Sequence, residues 1–213
     1  SHSVGTVHTM TPIPVSLAVE GDLDEQVLRQ LLQQSGKLFT PGVCYGRRGK
    51  DHLRQNVSRF NHAARYTPFI ILADLDNEDC PPGLVNRWLP HGRNSNLILR
   101  IAVHEVEAWL MADREHLAEF LGIPATKIPQ QPDECRDPKL LLVNLARHSR
   151  KRHIREDLAP MPGSTSKVGK NYTGQLIRFA ISVWRVDDTA RRCSPSLDRA
   201  MNAVQRFTPV AQE

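Results

Sequence analysis

Apolar and polar positions divide the chain into two kinds of segment. Short, almost wholly apolar runs cover residues 13–20 (Ile-Pro-Val-Ser-Leu-Ala-Val-Glu), 68–74 (Pro-Phe-Ile-Ile-Leu-Ala-Asp) and 96–103. Strands buried on both faces of a parallel sheet carry this signature, in place of strict apolar–polar alternation. A weaker strand, interrupted by Pro41, is predicted over Leu38 to Tyr45. Between these runs the apolar spacing becomes helical. Val27, Leu28, Leu31 and Leu32 predict a helix that ends near Gly36, with Asp22 as its N-cap and Glu25 completing a capping-box pattern. A polar helix is predicted over 51–66. Pro81-Pro82-Gly83 reads as a loop, and a helix with Val106, Trp109 and Leu110 on its apolar face starts near Glu105.

After Gly122 the pattern changes. Pro124, Pro129 and Pro132 mark a linker-like stretch. Asp137-Pro138 then forms a helix start, with aspartate as cap and proline at the first helical position. That helix continues through Leu140, Leu141, Leu142 and Leu145 into a basic end with Arg147, Arg150, Lys151, Arg152 and Arg155. A glycine- and lysine-bearing loop follows over 160–171, then two helices around 174–186 and 196–207. Strand–helix alternation in the first half predicts an α/β fold with a largely parallel sheet. The expected organisation is a tail over 1–12, an α/β domain over 13–125, and a helical C-terminal extension over 126–213 that completes the site.

Composition narrows the setting. With 213 residues, 40% of them hydrophobic, the chain is long enough for one sizeable core. No apolar run approaches the ~20 residues that span a bilayer, and no secretory signal is visible. Ser1 and His2 read as remnants of a tag. Cys44, Cys80, Cys135 and Cys193 are far apart and form no C-x-x-C pair, which argues against a zinc ribbon and a disulfide framework. A cytoplasmic location and no membrane partner are expected. The net charge of +5 favours a polyanionic partner.

The candidate chemistry lies in carboxylates. Glu20 and Asp74 both fall at predicted strand ends, and Asp76 lies two residues further on. Ligands gather at the carboxyl ends of strands in open α/β sheets. Acids converging there repel one another unless they are protonated or share a cation. Mg²⁺ or Mn²⁺, which take oxygen ligands, resolve the conflict. Taken singly, each of these acids is equally well read as a helix cap or a solvated turn residue. His104 is better read as a structural residue than as a base, and Trp109 as core.

The run Val19-Glu20-Gly21-Asp22-Leu23-Asp24 before an amphipathic helix resembles the opening motif of Toprim domains. Ile70-Ile71-Leu72-Ala73-Asp74-Leu75-Asp76 resembles their Asp-x-Asp motif. Together with Val103-His104-Glu105-Val106-Glu107-Ala108-Trp109-Leu110, these look like a family of uncharacterised, Toprim-like bacterial proteins of the DUF4276 type, considered relatives of the OLD nucleases. The likeness covers roughly 13–125. It implies a Toprim-like, Rossmann-like fold and a Mg²⁺- or Mn²⁺-dependent nuclease, with a place in bacterial anti-phage defence. It implies Glu20, Asp24, Asp74, Asp76 and Glu105 as metal ligands, with Glu107 as second choice to Glu105. Glu20, Asp74, Asp76 and Glu105 would also be catalytic. A downstream lysine, Lys167 or Lys170, would clamp phosphate charge, with Lys167 assigned to catalysis. Nucleic acid is the implied partner, DNA ahead of RNA. Since no Walker A motif is present, a partner ATPase encoded nearby is expected, and a homodimer is a further expectation. The alternative is a non-catalytic, nucleic-acid-binding or regulatory subunit of such an ATPase.

Basic residues supply candidate contacts to nucleic acid. Arg47, Arg48 and Lys50 sit in a Gly-Arg-Arg-Gly-Lys loop that can offer guanidinium and backbone N–H groups to phosphates. Arg150, Lys151 and Arg152, with Lys170, can follow a polynucleotide backbone. The competing reading of the 147–155 run is a helix end whose cations complement the carboxyl terminus.

Overall fold

The computed structural model describes residues 11–74, 81–102 and 106–210. Four parallel strands form one sheet in the order β2-β1-β3-β4: β1 (Ile13–Val19), β2 (Phe39–Gly46), β3 (Phe69–Asp74) and β4 (Leu97–Ala102). Helices α1 (Asp22–Gln34), α2 (Lys50–Ala63) and α3 (Pro81–Trp88) make the three crossovers. The chain steps one way from β1 to β2, then the other way to β3 and β4. Right-handed crossovers therefore place α1 on one face and α2 and α3 on the other. The apolar side chains sort accordingly. Val15, Leu17, Val19, Ile70, Leu72 and Ile98 join the core under α1, whereas Ala18, Phe69, Ile71, Ala73, Leu99 and Ile101 face α2 and α3. The α/β, Rossmann-like architecture matches expectation.

Among the described residues, seven further α-helices cover the α1 face: α4 (Val106–Ala112), α5 (Arg114–Leu121), α6 (Pro138–Arg147), α7 (Arg152–Leu158), α8 (Tyr172–Ser182), α9 (Asp188–Cys193) and α10 (Pro195–Arg206). Their apolar faces enter the same core as β1 and α1, so that core continues across residue 125. Helix α8 packs on α1, and α10 packs on β4. Trp109 lies at the centre, fully buried, with its indole N–H donated to Ser196 Oγ at 2.7 Å. Among the described residues no helix is long and apolar enough to cross a membrane, and Cys44 and Cys193 are free thiols.

Several expectations are corrected. Gly21, in extended conformation, occupies the N-cap of α1, and no side chain caps that end; Asp22 is the first helical residue. The Glu25 carboxylate instead pairs with Arg29 at 2.9 Å and Arg47 at 3.3 Å. Pro81-Pro82-Gly83 opens α3 rather than a loop. Proline is tolerated in a first turn because the N–H it lacks has no intrahelical partner there, and Leu84 and Trp88, four apart, bury the inner face. The helix after residue 105 is two helices, divided at Asp113, whose carboxylate accepts the Arg185 N–H. The basic helix is also two. Asp137 does cap α6, accepting the Leu140 N–H at 2.8 Å, but α6 stops at Arg147 and α7 begins at Arg152. Helix α9, which hydrophobic spacing does not reveal, is capped by Asp187, whose side chain accepts the Ala190 N–H.

Candidate functional site

The strand order reverses direction between β1 and β3, and the crevice at the carboxyl ends of those two strands is where such sheets bind ligands. Glu20 follows β1 directly and Asp74 ends β3. They meet: Glu20 Oε1 accepts the Asp74 backbone N–H at 2.9 Å. A cleft of about 350 Å³ opens at this point, lined among others by Asp24, Asp74, Glu107, Arg47, Lys139 and Tyr172.

Asp24 stands in the first turn of α1, on the side facing the crevice, and is 7% exposed. Burial, then the charges of Glu20 and Glu107, push its carboxyl up to about 7; backbone hydrogen bonds at Gly21 and Asp24 offset this in part. Its Oδ1 is enclosed and has no hydrogen-bond partner among the described residues. Glu107, in the first turn of α4, is 3% exposed. It accepts a hydrogen bond from the Tyr172 hydroxyl at 3.1 Å, and Lys139 Nζ lies 3.9 Å from the same oxygen. The helices beyond residue 125 thus supply the cation and the phenol that face this carboxylate.

The Gly-Arg-Arg-Gly loop is fastened to the same strand end. The Arg47 N–H donates to the Val19 carbonyl and the Gly49 N–H to the Glu20 carbonyl, each at 3.0 Å. Gly46 has φ +91°, and a Cβ there would lie 2.2 Å from the Val19 carbonyl oxygen, so only glycine permits this approach. Arg47 itself adopts φ +62° and lines the cleft beside its ion pair with Glu25. Arg48 is exposed and Lys50 opens α2.

The expected residues therefore separate. Glu20, Asp24, Asp74 and Arg47 come together; Asp76, His104 and Glu105 lie outside the described residues. Among the described residues no three His, Cys, Asp or Glu side chains are grouped closely enough to hold a metal ion. Lys167 and Lys170 are exposed and do not line the cleft; Val168 between them does. The lysine that the fold brings to the acids is Lys139. Lys139 and Tyr172 were missed because nothing in the sequence links them to an acid; Tyr172 and Glu107 are 65 positions apart.

The basic run 147–155 also has structural duties. Lys151 Nζ donates to the carbonyls of Glu119 at 2.7 Å and Phe120 at 3.1 Å, closing the carboxyl end of α5. Arg155 donates to the Ser149 carbonyl, and Arg152 pairs with Glu156 at 2.7 Å in full solvent. Arg150 uses its backbone N–H on the Gly122 carbonyl. Cations at a helix terminus were expected, but the helix they serve is α5, not their own.

No curated protein and no solved structure matches the chain. The model of DUF4276, a domain of unknown function, matches residues 19–204, and the chain belongs to that family.

Proposed function

We propose that the chain is a divalent-metal-dependent nuclease of Toprim type that hydrolyses phosphodiester bonds, with DNA as the first substrate to test. The observation carrying this reading is Asp24: a buried carboxylate with one oxygen unpartnered, held beside Glu20, Asp74 and Glu107 at the β1/β3 switch point. Carboxylate oxygens of this kind suit a hard cation. Asp24 and Asp74, with Asp76 and Glu105 from the neighbouring segments, would hold Mg²⁺ or Mn²⁺. The bound ion would supply an activated water and stabilise charge on phosphate oxygens.

The other residues set the frame for that chemistry. Glu20 fixes the main chain of Asp74. Tyr172 holds Glu107 in one orientation. Arg47 and Lys139 place positive charge at the cleft wall, where a phosphodiester would lie. A role in bacterial anti-phage defence alongside a partner ATPase is part of the same proposal and rests on the Toprim-like motifs.

Plasmid DNA incubated with Mg²⁺ or Mn²⁺, with and without the partner ATPase, tests the reading. Wild type should nick or linearise it and Asp74→Ala should fall to background. DNA binding without cleavage, indifferent to Asp74→Ala, would make the chain a non-catalytic binding subunit.

A further inference from the structure

A second cleft, of about 590 Å³, runs along β4, the edge strand among the described residues, between α3 and α10. Three arginines line it: Arg93 before β4, Arg100 within it and Arg199 on α10, with Asn86 and Ser196 beside them. Arg29, Arg47, Arg152 and Arg191 each pair with a carboxylate. Among the described residues, Arg93, Arg100 and Arg199 have no ion pair. Arg100 Nε is enclosed and makes no hydrogen bond. Desolvation first, then the charges of Arg93 and Arg199, disfavour the charged form of Arg100.

Three guanidinium groups gathered without a counter-charge among the described residues repel one another, and a buried guanidinium N–H lacking an acceptor is costly. An oxyanion relieves both. Planar, multidentate guanidinium groups match phosphate oxygens better than any other common side chain. Position narrows the carrier of that phosphate. Arg100 pairs in register with Leu72, two residues before Asp74, so its side chain emerges on the same face of the sheet as that of Asp74. Two strand residues and one strand spacing separate their Cα atoms by about 8 Å. That separation lets one short stretch of polynucleotide backbone lie across both clefts.

We infer that Arg93, Arg100 and Arg199 form a phosphate-binding subsite for the backbone of a polynucleotide whose scissile bond lies at the acid cleft. The inference rests on the proposed nuclease reading for the identity of the polynucleotide and for the place of its scissile bond.

The test is binding of a short fluorescein-labelled single-stranded DNA to the full chain in EDTA, by fluorescence anisotropy across a salt series. Exposed Arg93 and Arg199 can be changed without opening the core. Arg93→Gln/Arg199→Gln should raise Kd about tenfold or more and flatten the log–log salt slope by about 1.4, two contacts at ~0.7 each. Arg54→Gln/Arg59→Gln removes equal charge from the exposed side of α2 and should change Kd less than about threefold. Equal weakening by both pairs, or none by either, overturns the subsite. Inorganic phosphate is the second probe, read by thermal shift of wild type and Arg100→Gln. Phosphate stabilisation that needs Arg100, with DNA binding indifferent to Arg93 and Arg199, overturns the polynucleotide assignment. Asp74→Ala, which removes a carboxylate that repels phosphate, should bind the DNA at least as tightly as wild type in EDTA. Loss of cleavage alone thus reports on the acid cleft, and loss of binding alone on the arginines.

Discussion

Glu20 and Asp74 are joined through a side chain and a main chain: the Glu20 carboxylate accepts the backbone N–H of Asp74 at 2.9 Å, across the gap between β1 and β3. The bond makes one acid the mount of the other. It also separates two roles that a single alanine variant would confuse.

Glu20→Gln keeps an acceptor oxygen and loses the charge. Its melting temperature in EDTA should stay at the wild-type value or rise, since Asp24 loses a repulsive neighbour. Glu20→Ala leaves the Asp74 N–H without its acceptor and should cost about 1–3 kcal/mol in urea unfolding. Equal losses for the two variants would show that the hydrogen bond is not what Glu20 contributes to stability.

The raised Asp24 carboxyl predicts a pH dependence. Unfolded, the group titrates near 3.8; folded, near 7. Between these values the native state holds the extra proton, so stability is full below the unfolded value and falls as pH rises through 7. At pH 8 the charged, buried group should cost on the order of a few kcal/mol relative to an uncharged one. Asp24→Asn should therefore melt several degrees above wild type at pH 8 in EDTA, with the gap closing toward pH 5. Mn²⁺ at pH 8 should raise the wild-type melting temperature and leave the variant unmoved. Parallel melting curves across this range would exclude the buried carboxyl as their source.

Gly46→Ala should disturb the cleft without touching an acid. The methyl meets the Val19 carbonyl and the backbone is left-handed there, so destabilisation should exceed about 1 kcal/mol. Limited proteolysis should show earlier cutting after Arg47 or Arg48 than in wild type. Gly49→Ala, also at positive φ but with open space around it, should show the smaller effect.

Lys151 and Arg152 are neighbours with different fates. Lys151→Ala removes two hydrogen bonds from the end of α5 and should lower stability by about 1 kcal/mol. Arg152→Ala loses only an exposed pair with Glu156 and should leave thermal melting unchanged. If both variants weaken DNA binding equally while only the first melts early, the run contacts nucleic acid as well as capping α5.

The part of the site that was legible in the sequence depended on strand ends. The apolar runs 13–20 and 68–74 locate the carboxyl edge of the sheet, and an acid at each end then falls at the switch point. Lys139 and Tyr172 were not legible because helices beyond residue 125 dock by packing, which carries no short-range signal. The Asp22/Glu25 capping box failed for a local reason: Gly21 takes the extended cap position one residue early, which frees Glu25 for Arg29 and Arg47. Pro-Pro-Gly resembles a turn whether it closes a loop or opens a helix; Leu84 and Trp88 downstream decide. Lys151 was read as part of a charge run because its targets lie some thirty positions earlier in the chain.

The cleft is walled by residues from Gly21 to Thr173, and this imposes an order of events on a chain made from its N-terminus. The roughly 100 residues between Asp74 and Tyr172 take on the order of 5–20 s to synthesise at ~5–20 residues per second. For that interval β1, α1 and β3 can form while Glu107 lacks both its phenol and its lysine. A nascent or prematurely terminated chain carries the acids in an open crevice, with neither Tyr172 nor Lys139 against Glu107. The enclosed carboxylate site comes into being only once α6 and α8 have been made and close over it.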